Sequence, residues 1–155
     1  MRAARTLDPA VHAGLLALVI GLAITSHGAA RYGWHHFIDA DAAHFHTVAL
    51  DLDASDATAG DPAYRYGRVG LPLVARTLAV GSPGLVSATQ MLVTPLAFGV
   101  LVAAAVATAA RVTGRWGLGL VVLLVPGLWI GFSYAWADTL LAACVMASID
   151  RKSVV

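Results

Sequence analysis

Residues 85–110 run for 26 positions without a single Asp, Lys or Arg. As an α-helix at 1.5 Å per residue the run is about 39 Å long, enough to cross the roughly 30 Å hydrocarbon core of a bilayer. A run this long goes either to the middle of a large soluble core or into lipid. The rest of the chain decides between them. It has 155 residues, 59% of them hydrophobic and only 12% charged, where soluble domains carry about 25% charge. Mean hydropathy is +0.76. These values exclude a disordered chain, a collagen and an ordinary soluble enzyme. They predict an all-α, polytopic integral membrane helical bundle. The formal net charge of +1 gives no bulk field for nucleic acid. The lone Cys144 allows no intrachain disulfide.

Three further apolar segments flank the long run. Residues 11–30 hold no Asp, Lys or Arg and are predicted to span. The rival reading is a cleaved signal peptide ending at Gly28-Ala29-Ala30; the spans that follow favour a retained helix. Residues 116–137 form a second long run with Pro126-Gly127 inside it, and 139–149 a shorter one. Pro95 predicts a kink within 85–110. Residues 68–80 carry Arg68 and Arg76, are too short to span, and read as an interfacial helix. Between the first two segments lies a polar outer loop, 31–67, which holds six of the nine acids and four of the six histidines.

Basic residues in short loops orient the chain. Arg2 and Arg5 at the start and Arg111 and Arg115 in a turn belong on the cytoplasmic side of an inner or plasma membrane. The loop 31–84 and the stretch Tyr134-Ala135-Trp136-Ala137-Asp138 then face outward together.

The last six residues, Asp150-Arg151-Lys152-Ser153-Val154-Val155, hold the only Lys. They resemble the translation of a common sequencing adapter. The expectation is that 150–155 is an adapter tail on an incomplete transmembrane domain, 1–149. The competing expectation is a basic cytoplasmic end.

Chemistry concentrates in the outer loop. In the segment from His35 to His46, a helix over 40–50 would set Asp41 on one face with His44 and Phe45. Carboxylates beside imidazoles suit general-base catalysis on a hydroxyl. They also suit a metal held by Asp39, Asp41, His44 and His46, although the spacing matches no specific metal signature. A solvated loop that uses Asp and His as caps and turn residues is the plainest alternative. Tyr64-Arg65-Tyr66-Gly67-Arg68 sets guanidinium groups among aromatics, which suits a phosphate or lipid head group, or a simple interfacial anchor. Asp138 stands at the edge of an apolar segment, where an acid either caps a helix or faces a cavity.

Two strings carry a resemblance. Asp41-Ala42-Ala43-His44-Phe45-His46-Thr47-Val48-Ala49-Leu50-Asp51 resembles the "D-G-Q-F-Y-Y-x-L-A-L-D-P" stretch of bacterial GT-C-type polytopic membrane glycosyltransferase relatives, including cell-surface glycopolymer formation proteins. Asp61-Pro62-Ala63-Tyr64-Arg65-Tyr66-Gly67-Arg68-Val69-Gly70-Leu71-Pro72-Leu73 resembles their "P-A-Y-R-Y-Q-R-I-L-Y-P-L" stretch. A third segment, 131–138, is similar to a later one that ends in an acid. His44 and His46 stand where that family has aromatic residues, and Leu52 where it has Pro.

The resemblance implies the N-terminal part of a longer helical enzyme. Its donor would be a polyprenyl-phosphate-linked sugar and its acceptor a glycan or other cell-envelope group. It implies Asp41 as the base, Asp138 as a second outer-loop acid, and Tyr64, Arg65, Tyr66 and Arg68 near the donor phosphate. The donor class works without a metal cofactor, although Asp39-Ala40-Asp41 has the Asp-x-Asp form that some GT-C enzymes use. Outside the resemblance two readings stay open: a non-enzymatic multi-pass subunit or scaffold, and a metal-binding component built on the His/Asp loop.

Overall fold

In the computed structural model the described residues are 8–33, 36–37, 41–51, 70–132 and 137–152. Among them the chain is all-helical, without strands. The elements are α1 (Pro9–Tyr32), α2 (Asp41–Leu50), α3 (Gly70–Leu78), α4 (Pro83–Thr113), a 3-10 helix (Trp116–Leu124), α5 (Pro126–Ile130) and α6 (Ala137–Lys152).

Local chemistry sets the ends of the long helices. Asp8 caps α1: its Oδ1 accepts the Ala10 N–H at 2.9 Å, and Pro9 sits at the first position, where a missing N–H costs nothing. α4 likewise opens on Pro83. It ends at Gly114, whose φ of 69° lets its N–H turn back to the Ala110 carbonyl.

α1 and α4 are each long and apolar enough to cross a membrane. Their packing is of the same kind. The buried stripe of α1 is Ala10, Gly14, Ala17, Gly21 and Thr25, all small. Its exposed positions include Val11, Leu15, Leu16, Val19, Ile20 and Ile24. In water the large side chains would go inside. In lipid they can stay outside, and small residues let two helices approach closely. A Cβ on Gly14 would lie 2.7 Å from the Ala103 Cβ and 2.9 Å from the Gly99 carbonyl.

α4 is the hub. α1 runs antiparallel to it: Gly14 meets Gly99 and Ala103, and Gly21 meets Pro95. The 3-10 helix and α5 then climb back along it. Gly119 lies against Ala105 and Val106. The rings of Trp129 and Phe132 pack edge-on to Phe98, at 5.5 and 5.0 Å between centroids, contacts worth about 0.5–1.5 kcal/mol each beyond their area. α6 turns again and follows α4 in the same direction, since Leu140 through Ala147 share a groove with Val93 through Val100.

The predicted single helix over 116–137 is instead the 3-10 helix and α5. Pro126 sets the break between them: it has no N–H to give residue 122, and its ring would collide with that carbonyl. The 3-10 form rises about 2.0 Å per residue, so nine residues reach about 18 Å where an α-helix would reach about 14 Å. The Trp129 indole N–H bonds the Leu123 carbonyl at 2.7 Å and ties the two pieces together. Other bounds also differ from the sequence reading. The interfacial segment is helical over Gly70–Leu78, and the last helix runs from Ala137 through Lys152 rather than over 139–149.

Candidate functional site

Asp41 is the first residue of α2, and Asp138 is the second of α6. The two helices start around one apolar cluster. Phe45 of α2, Leu71 of α3 and Val93 of α4 are buried together, and Leu140 of α6 packs against them. Phe45 is one turn beyond Asp41, and Leu140 is two residues beyond Asp138. The fold therefore brings the backbone at both sequence-predicted acids to the N-terminal third of α4. Arg111 and Arg115 lie at its other end. Asp39, Tyr64, Arg65, Tyr66 and Arg68 lie outside the described residues.

α2 is held at its C-terminal end and along one face. Arg76 reaches across from α3, and its Nη1 donates to the Ala49 carbonyl at 3.0 Å and the Leu50 carbonyl at 2.7 Å. These carbonyls end the helix and have no intrahelical partner, so a cation there also meets the negative end of the helix dipole. On the other side, the half-buried ring of His46 hydrogen-bonds the side chain of Gln90 on α4. Gln90 is 0% exposed. The Nδ1 of His46 is buried without a hydrogen-bond partner. Burial holds the imidazole below its ordinary range, and the Gln90 bond offsets this in part.

The helix separates the two histidines of the proposed metal set. His44 and His46 are two positions apart on α2, so their side chains leave the axis roughly 200° from each other. One ion cannot take both. Among the described residues, no three of His, Cys, Asp or Glu gather as metal ligands.

Beside this site an apolar groove of about 260 Å³ opens between α3, α4 and α6. Val74 and Leu78 form one wall, Leu96 and Val100 the floor, and Ala143 and Cys144 the other wall. It begins at Val93 and Leu140, next to the cluster that joins the two acid-bearing helix starts.

Sequence reasoning missed two residues here. Gln90 is the only Gln in a chain with no Asn. A lone amide inside a charge-free run was the available signal, since an amide in lipid needs a partner. Arg76 gave less: a cation in a short amphipathic helix reads as a surface anchor, and only the fold brings it to the end of α2.

Comparison with family models, with curated proteins and with solved structures finds no match.

Proposed function

We propose that the chain is the membrane-embedded N-terminal part of a glycosyltransferase that moves a sugar from a polyprenyl-phosphate donor to a cell-envelope acceptor at the outer face of the membrane. The observation that carries this reading is the common origin of α2 and α6. Two acids distant in sequence open helices that meet at one end of α4, remote from the basic turn. The chain then crosses four times: outward in α1, inward in α4, outward through the 3-10 helix and α5, and inward in α6. Both acids fall on the outer side, and Arg111 and Arg115 on the inner side, as the positive-inside rule requires.

In this reading Asp41 takes the proton of the acceptor hydroxyl as its oxygen attacks the anomeric carbon. The bond from that carbon to the donor phosphate breaks, and polyprenyl phosphate leaves with the electron pair. A phosphate is already a good leaving group, so a base and a cationic clamp are sufficient. Arg65 and Arg68, with Tyr64 and Tyr66, supply the clamp, and Asp138 is the second outer-loop acid. No metal is assigned a step.

The test is transfer of labelled sugar from a synthetic polyprenyl-phosphate donor, using membranes that contain the protein. Asp41→Asn is expected to lower the rate by about two to four orders of magnitude, with Arg111→Gln unchanged. Undiminished transfer by Asp41→Asn overturns the reading.

A further inference from the structure

His46 is a titratable ring that the proposed chemistry does not use. It sits in the contact between α2, a short helix outside the spanning segments, and α4, the hub of the bundle. Its ring bonds Gln90, which is wholly enclosed, and its Nδ1 faces protein with nothing to bond. The contact around it is apolar: Phe45 and Ala49 of α2 are buried against α3 and α4.

A neutral imidazole suits this environment. One nitrogen meets Gln90, while Nδ1 and the Gln90 Oε1 are both buried without a partner, and the ring carries no charge. A protonated ring does not suit it. Both nitrogens then carry hydrogen, and the ring brings a positive charge into a contact whose burial disfavours it. A cation in such a place needs compensation. Among the described residues the charged groups on the elements packed here are few. On α2 the other titratable groups are Asp41 and His44, with Asp51 just past its end. α3 contributes only Arg76, a cation already engaged at Ala49 and Leu50. The only charged residue of α4 is Arg111, some twenty residues from Gln90. α6 brings Asp138 at its start, two residues before Leu140.

We propose that His46 and Gln90 form an acid-released latch, which holds α2 on α4 when the ring is neutral and frees α2 when the outer compartment acidifies. The proposal does not depend on the transferase reading; it concerns where α2 sits. The direction follows from linkage. Docking depresses the basicity of the ring, so the docked state gains its full stability above the ordinary imidazole pKa of about 6.5. That gain is lost as pH falls through the lowered value. Freeing α2 would carry Asp41 away from the start of α6, so acid would dismantle the site rather than complete it.

The experiment is a pulsed electron-spin distance measurement on the protein in lipid nanodiscs. Spin labels go on Ala43→Cys in α2 and Thr113→Cys at the far end of α4, in a Cys144→Ala background. Both label positions are exposed. The expected result is one narrow distance at pH 8 and a second, broader population that grows as pH falls from 6.5 to 4.5. His46→Gln, which keeps a hydrogen-bonding side chain but cannot titrate, should hold the narrow distance throughout. His44→Gln should retain the transition. No second population by pH 4.5, or the same transition in His46→Gln, overturns the latch. If His46→Gln is already undocked at pH 8, the His46 ring resonance decides. A midpoint matching the distance change supports the latch, and a different midpoint overturns it.

Discussion

The Nη1 of Arg76 stands 2.7 Å from the carbonyl oxygen of Leu50, a bond that spans 26 positions of sequence and closes the C-terminal end of α2 from a neighbouring helix. With the Ala49 bond beside it, one cation satisfies two terminal carbonyls. Arg76→Met keeps the apolar stem and removes both bonds. Because one bond is exposed, the expected loss is about 1–2 kcal/mol of local stability. Hydrogen exchange at the amides of 47–51 should speed up by roughly an order of magnitude, while α4 keeps its protection. Uniform exchange across the chain would mean that Arg76 does not act locally on α2.

Gly117 and Gly119 are two residues apart on the 3-10 helix and face opposite surroundings. A Cβ on Gly119 would come within 2.6 Å of the Ala105 backbone, whereas nothing lies within 4 Å of one on Gly117. Backbone cannot move aside as a rotamer can. Gly119→Ala is expected to cost about 1–3 kcal/mol. Gly117→Ala should be neutral or stabilising by about 0.4–1 kcal/mol, through the unfolded chain. Thermal unfolding in detergent ranks the two, and equal losses would contradict the close pass of the 3-10 helix along α4.

Much of this was legible in advance, and the reasons are physical. The charge-free run over 85–110 and the segment 11–30 announced α4 and α1, because a bilayer admits little else that is so long and apolar. The helix carrying Asp41, His44 and Phe45 stood only as a condition, with a solvated loop as the plainest alternative. The form of 116–137 was not legible. Hydropathy counts apolar residues and is blind to how far each one rises, so it could not distinguish an α-helix from a 3-10 helix broken at Pro126. Nor could spacing show that His44 and His46 part company, since a loop would have let them meet. Of the candidate site, the sequence offered Asp41 and Asp138, which open α2 and α6. The partners that hold α2 in place come from α3 and α4, and only tertiary contact reveals them.

Val80 adopts φ of 52° in the turn between α3 and α4, where it is 91% exposed. A β-branched residue is strained in that left-handed region. Val80→Gly removes the strain and loses almost no packing. It should raise stability by about 1 kcal/mol, seen as a melting temperature a few degrees higher. An unchanged or lower value would mean that the side chain earns its place at the surface.

The central claim is that the starts of α2 and α6 lie on the outer side of the membrane, opposite the basic turn after α4. Single cysteines in place of Thr47 and Thr113, each in a Cys144→Ala background, can be treated on intact cells with a membrane-impermeant maleimide. Both positions are exposed. The cysteine at 47 should label at once, and the one at 113 only after the membrane is opened. Labelling of both from the same side would contradict the topology, and with it the outward site on which the proposed function rests.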